Sequence, residues 1–252
     1  MITRDHWLAT PPTLQQYPNA NLNGAITVLR DDLLEGGSKL RFLPYLIGDA
    51  EEIVFGGPFC GGAPLALSVL GREMRRRVTL FYAKRKTLHP RQARAAANGA
   101  RIIEVPAGRM SVVQARAREY AASAGALFLP LGFDVPAAEV PFESYLYELR
   151  ERIDTPDQIW CAAGSGMIAR CLGRVFWKSA IKAVAVGLAS RHAKQAFTPN
   201  VELLQCEYSF EQECRESAPF PACRHYEAKA WARCVRESKG SVLFYNVLGE
   251  TL

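Results

Sequence analysis

No stretch of this 252-residue chain approaches the roughly 18 consecutive apolar residues of a membrane helix, so a helical transmembrane protein is excluded. Met1 to Asn23 hold no apolar run of the kind a secretion signal needs, and a cytoplasmic protein is expected. The seven cysteines (Cys60, Cys161, Cys171, Cys206, Cys214, Cys223, Cys234) are odd in number and form no C-x-x-C pair, which reads as reduced thiols rather than a disulfide framework. Between Cys206 and Cys234, with His225 beside Cys223, the spacings of eight, nine and eleven positions match no common zinc pattern, and no metal is expected. His6, His89, His192 and His225 fall in no recognisable triad and read as structural or surface residues. There is no internal repeat and no low-complexity tract.

What the chain does have is an ordinary globular balance, 49% hydrophobic and 22% charged, and enough length for a substantial core. The net charge of +6 is unevenly spread. From Arg72 to Arg101 ten lysines and arginines face one acid, Glu73, a local +9 that leaves −3 for the remainder. Such a run attracts polyanions through counterion release, so contact with DNA or RNA through Arg72–Arg101 is one expectation and a solvated basic face the other.

Short apolar or β-branched runs alternate with segments of helical spacing. Strands are predicted at Ala25–Leu29, Glu52–Phe55, Val78–Tyr82, Ile102–Val105, Ala126–Leu129, Gln158–Ala162, Ala183–Val186, Val201–Leu204 and Val242–Tyr245. Helices are predicted at Pro64–Arg75, Arg91–Asn98, Ser111–Ser123, Phe142–Arg152, Ile168–Phe176 and Tyr226–Arg236, with Ser111 as an N-cap and Gly99 and Gly125 as stops. This alternation implies an α/β fold with mainly parallel sheets covered by helices. The breaks richest in proline and glycine, Phe55–Gly62 and Pro130–Pro141, bound a segment that reads as an inserted lobe.

Three glycine turns carry the candidate chemistry. In Leu34-Glu-Gly-Gly-Ser-Lys-Leu-Arg-Phe-Leu43, Gly36 and Gly37 permit a sharp turn, and Leu40, Phe42 and Leu43 anchor the segment after it in the core. Lys39 is thereby held at the first turn of a predicted helix. A held and partly desolvated lysine can form a Schiff base with an aldehyde such as that of pyridoxal phosphate (PLP). A solvated helix start is the blander reading.

Gln158-Ile-Trp-Cys-Ala-Ala-Gly-Ser-Gly-Met-Ile-Ala-Arg170 runs strand, glycine turn, helix start. The backbone N–H groups of Gly164, Ser165, Gly166 and Met167, the Ser165 hydroxyl and the helix dipole would cradle a phosphate. Gly164, Gly166 and Ala169 also satisfy a G-x-G-x-x-A fingerprint, but no Asp or Glu follows before Glu202, which argues against a nicotinamide cofactor. In Ile53-Val-Phe-Gly-Gly-Pro-Phe-Cys-Gly-Gly-Ala63, Gly56, Gly57, Gly61 and Gly62 would let a ring or carboxylate approach the backbone, and Cys60 reads either as a reactive thiol or as a small packing residue.

Together, the Gly-Gly-Ser-Lys turn, the second glycine turn some twenty residues on and the Gly-Ser-Gly turn resemble the fold type II (tryptophan synthase beta-like) PLP enzymes. The branch is similar to the aminocyclopropane-carboxylate deaminase and D-cysteine desulfhydrase group, whose usual R-x-D-D and G-G-N-K-x-R-K-L motifs have as their counterparts here Arg30-Asp31-Asp32 and Gly36-Gly37-Ser38-Lys39-Leu40-Arg41-Phe42-Leu43. The resemblance implies PLP as cofactor, Lys39 as the Schiff-base lysine, and Gly164, Ser165, Gly166 and Met167 as the phosphate site. It also implies a larger PLP-binding domain of residues 1–51 and 154–252, an inserted lobe of 52–153, a homodimer and an amino-acid substrate. Phe59-Cys60-Gly61-Gly62 stands where the family has Gln-Ser-Asn-His, leaving Cys60 and Gly61 as the substrate-side residues. Asn246-Val-Leu-Gly249 stands for His-Thr-Gly-Gly, leaving Asn246 to face the pyridine nitrogen.

These departures put ring opening and β-elimination in question and favour decarboxylation among the reactions at Cα. Deamination and elimination remain open, as does an amino acid carried on DNA. The rival expectation is a catalytically inactive PLP-fold protein that binds nucleic acid or a partner through its basic lobe.

Overall fold

The computed structural model of the chain describes residues 2–22, 24–106, 109–133, 135–187 and 197–249. The chain divides into two compact units. The first comprises Met1–Ala9 and Leu34–Ala138, the second Thr10–Leu33 and Glu139–Glu250.

The first unit holds a four-stranded, all-parallel sheet in the order β5-β4-β3-β6: β3 (Glu52–Gly56), β4 (Arg77–Ala83), β5 (Arg101–Val105) and β6 (Leu127–Leu129). Val78 to Tyr82 of β4 are all buried, because this strand has neighbours on both edges and helices over its faces. The connecting helices are α1 (Leu43–Ile47), α2 (Gly62–Met74), α3 (Pro90–Ala97) and α4 (Met110–Ala124). On α4 the buried Val113, Ala117 and Ala121 recur every four residues and pack on Val54 and Phe81. Helix α2 is buried from Ala63 to Gly71 and ends where Arg75 turns left-handed at φ 54°. Gly125 stops α4 at φ 62°, as expected, whereas the cap at its start is Arg109 and not Ser111.

The second unit holds a six-stranded sheet in the order β1-β2-β10-β7-β8-β9. Its strands are β1 (Leu14–Asn19), β2 (Gly24–Arg30), β7 (Gln158–Ala163), β8 (Ala180–Ala185), β9 (Val201–Gln205) and β10 (Val242–Asn246). Only β1 runs antiparallel. All five residues of β10 are buried, as befits a strand in the middle of the sheet. Helices α5 (Pro136–Arg150), α6 (Met167–Val175) and α7 (Glu227–Glu237) accompany it. Trp231 of α7 meets Phe244 edge-on at 5.1 Å and Phe220 at 4.8 Å, the centre of a core that includes Ile26, Val28 and Trp160. Fully burying one such side chain contributes about 1.5–3 kcal/mol.

The α/β expectation holds. The expected lobe of residues 52–153 and the first unit share 52–138. Residues 34–51 join the first unit because Glu35 is bonded to Arg72 and Arg94, while Glu139 and Glu143 face Arg170 and Arg174 within the second. His192 lies outside the described residues.

Candidate active site

In the first unit the Lys39 turn is a five-residue 3-10 helix, Gly37–Arg41, rather than the first turn of an α-helix. The two glycines before it are needed for different reasons. A Cβ on Gly36 would stand 2.8 Å from the Ala66 Cα of α2, and Gly37 has φ 67°. Ser38, Leu40 and Arg41 are buried, and Arg41 donates to the Trp7 carbonyl at 2.5 Å. Lys39 is half-buried among them, so its stem is fixed by rigid neighbours. The Ser38 hydroxyl, fully buried, has no hydrogen-bond partner. Glu35 ties the approach to this turn, accepting from Arg72 at 2.6 Å and Arg94 at 2.9 Å, and the Arg72 bond above all holds its carboxyl below the usual range.

The turn after β3 is closed by packing. The Gly57 N–H donates to Phe81 O at 3.1 Å, Gln114 Nε2 donates to Gly56 O, and the buried Arg91 donates to Cys60 O. Cys60 is fully buried and Gly61 is the extended N-cap of α2. Beside them the Arg85 guanidinium lies 3.7 Å over the Phe59 ring, which meets the His89 ring at 5.2 Å. His89 also caps α3 through its Nδ1.

In the second unit β7 delivers Gly164 and Ser165, both half-buried, and Gly166 at φ 90° as the N-cap of the nine-residue α6. No side chain caps that end, so the first N–H groups of α6 and its dipole face the turn. Tyr226, Gly187 and Phe197 wall it: a Cβ on Gly164 would come 3.5 Å from Tyr226, one on Gly187 3.2 Å from Gly164, and one on Gly166 3.0 Å from Phe197. The neighbouring strand β10 ends at the same carboxyl edge with Asn246, since Tyr245 pairs with Cys161 and the strands are parallel. Asn246 Nδ2 donates to Pro221 O at 2.8 Å, while its Oδ1 is buried with no hydrogen-bond partner. The amide is therefore oriented by one bond and presents an acceptor that lacks a donor, an arrangement that costs about 1–3 kcal/mol unless something supplies one.

The chain matches the family model described as "Pyridoxal-phosphate dependent enzyme" over residues 5–203. The chain belongs to that family. The solved structures similar to it include an ACC deaminase homologue, at 18% identity with a TM-score of 0.78, covering 100% of this chain and 96% of that one. An O-acetylserine dependent cystathionine beta-synthase from Helicobacter pylori gives 18% and 0.72 with coverage of 100% and 96%. A hydrogen sulfide-producing enzyme from Fusobacterium nucleatum gives 12% and 0.74 with coverage of 99% and 98%. No curated protein matches the chain significantly. PLP is thus the cofactor and the fold is that of the fold type II enzymes.

The residues present fit a PLP group. An orphaned acceptor at Asn246 suits a ring N–H, and the glycine turn before α6 suits a phosphate. Sequence reasoning missed a buried cluster at the same edge of this sheet: Tyr245 donates to Asp31 at 2.6 Å and Tyr145 to its other oxygen at 3.3 Å. Beside it Arg30 grips Asp32 with two bonds of 2.7 and 2.8 Å, which hold the guanidinium charged above its ordinary range. The Arg30-Asp31-Asp32 motif was the available signal; the tyrosines gave none. The basic stretch is partly neutralised, since Arg72 and Arg94 bond Glu35, Arg77 lies 3.5 Å from Glu52, and Arg91 is buried. Among the described residues no helix is long and apolar enough to cross a membrane.

Proposed function

We propose that this protein is a PLP-dependent enzyme of lyase or deaminase type acting at the Cα of a free amino acid. The observation that carries the reading is the pairing, on one edge of the six-stranded sheet, of an uncapped helix start after Gly166 with the buried, partnerless Asn246 Oδ1. When bound, PLP supplies an electron sink for the electrons released at Cα. Lys39 would hold the cofactor through its amine, and the same amine would take and return the proton at substrate Cα. Gly164, Ser165, Gly166 and Met167 bind the phosphate through backbone N–H groups and the Ser165 hydroxyl. Asn246, whose Nδ2 is committed to Pro221, would offer its Oδ1 as an acceptor to the ring nitrogen in its N–H form.

Cys60 and Gly61, expected on the substrate side, are committed to packing: the thiol is fully buried, the Cys60 carbonyl accepts from Arg91, and the Gly61 N–H donates to Pro58 O at 3.1 Å. The deaminase homologue and the hydrogen sulfide-producing enzyme among the similar structures support elimination or deamination ahead of the decarboxylation favoured on sequence. A free amino acid is preferred to one carried on DNA because Glu35 and Glu52 already engage Arg72, Arg94 and Arg77.

The test is borohydride reduction of the protein with PLP followed by peptide mapping. The wild type is yellow and yields a pyridoxyl label on Lys39, whereas Lys39→Ala keeps its circular dichroism and loses the label. A label on another lysine overturns the role of Lys39, and a colourless wild type that takes no label returns the inactive reading.

A further inference from the structure

Arg170 lies one turn into α6, its backbone N–H donating to Gly166 O at 3.0 Å. It is only 8% exposed, unusual for an arginine, and its guanidinium folds back toward the start of its own helix. Nη1 is 3.7 Å from the point where a Cβ on Gly166 would stand. On the other side Nε and Nη2 both donate to Glu139 Oε1, at 3.2 and 2.9 Å. The second oxygen of Glu139 accepts from Arg174 Nη2 at 2.6 Å, and Arg174 Nε donates to Glu143. The ion pair is thus oriented, with its positive end at the glycine turn and its negative end toward α5. Burying a guanidinium is costly unless its charge is used, and the Glu139 carboxylate fixes which edge faces the turn.

We propose that Arg170 is a positioning residue for the cofactor phosphate. Its guanidinium adds a full positive charge behind the partial charge of the α6 N–H groups, and Glu139 sets both the orientation of that charge and its strength. This deepens the phosphate-site reading above and rests on it. Two opposing effects are expected. Removing the guanidinium weakens attraction for a phosphate, while neutralising Glu139 removes a competing negative charge and strengthens it, provided Arg174 and Glu143 keep α5 against α6.

The experiment compares binding of PLP and of pyridoxal, which lacks the phosphate, to the apo forms of wild type, Arg170→Gln, Arg170→Lys and Glu139→Gln, with the 31P chemical shift of bound PLP as a second readout. Wild type is expected to prefer PLP strongly. Arg170→Gln should lower the PLP-to-pyridoxal affinity ratio about 10- to 100-fold with pyridoxal binding unchanged, the range expected for a lost hydrogen bond or ion contact to a charged group. Arg170→Lys should recover most of the ratio. Glu139→Gln should raise it, and the two neutralising variants should move the 31P shift in opposite senses. If Arg170→Gln or Arg170→Lys fails to fold, the sign of the Glu139→Gln effect decides: an unchanged or lowered ratio overturns the proposal. An unchanged ratio and 31P shift in folded Arg170→Gln overturns it as well, leaving the phosphate site intact. A wild type that binds neither compound overturns the phosphate-site reading itself.

Discussion

At the carboxyl end of β3, Gly57 is glycine because a Cβ there would stand 2.4 Å from the Phe55 ring, while at the carboxyl end of β7, Gly166 is glycine because its backbone sits at φ 90°. The first turn spends its glycines on packing: Cys60 is buried, its carbonyl is taken by Arg91, and the Gly57 N–H is taken by Phe81. The second spends them on conformation, leaving an uncapped helix start with half-buried Gly164 and Ser165 before it. In sequence the two are nearly alike, a strand, a glycine cluster and a helix. Their difference teaches that glycine content marks a turn as unusual without saying whether its backbone faces a ligand or a neighbour.

The largest expected effect comes from Gly166→Asp, which places a side chain in a strained backbone and a carboxylate against the phosphate. PLP affinity should fall about 100-fold or more, by equilibrium dialysis, with pyridoxal much less affected. Equal losses for the two would assign the effect to a collapsed turn and erase the distinction drawn above. Gly57→Ala should act in the opposite pattern, lowering unfolding stability by about 1–3 kcal/mol in a denaturant titration because Phe55 is fully buried and has nowhere to go. The PLP-to-pyridoxal ratio should not move; a changed ratio would mean that the first turn also meets the phosphate.

The smallest effect is one of rate and pH. Cys206 is half-exposed, whereas Cys60 is buried and burial pushes the Cys161 and Cys171 thiols up to about 12. Native protein treated with iodoacetamide at mild alkaline pH should therefore be labelled at Cys206 well before Cys60. Early labelling of Cys60 would show that the first turn opens as readily as the second. Because the unfolded thiols ionise near pH ~8.5 and the folded Cys161 and Cys171 do not, stability should decline as pH rises from that value toward 12.

Elements whose signal is local were legible in the chain alone. Val78 to Tyr82 and Val242 to Tyr245 announce buried parallel strands by runs of β-branched, apolar and aromatic residues, and Gly125 stops its helix as expected. Where tertiary contacts supply the reason, the sequence was silent. Strand β1 is an edge strand with Leu14 to Gln16 exposed and Pro18 inside it, so it has no apolar alternation to find. Strand β8 begins three residues earlier than expected because Lys182 interrupts its apolar run, and Lys182 is there to pair with Glu202 across the ladder. Helix α5 starts at Pro136, well before the expected Phe142, since Pro141 reads as a breaker and is tolerated inside.

At the candidate site, Lys39 and Gly164 to Met167 were proposed from their glycine turns together with the family resemblance those turns carry. The Asp31 cluster was not, because its tyrosines lie 114 and 214 positions away, and neither was the buried Arg170, which reads as an ordinary helix-surface cation.

Strand β10 sits between β2 and β7, so the six-stranded sheet is joined across its middle by residues 242–246. A nascent chain therefore exits the ribosome with the four-stranded sheet complete once residue 129 has cleared, while β10 begins only 79 positions after the end of β7 and 212 after the end of β2. Until β10 arrives, two apolar strand edges face the cell without a partner, and any lesion that delays synthesis of residues 242–246 lengthens that exposure. The strand that carries Asn246 is also the one that closes this interval of unpaired edges.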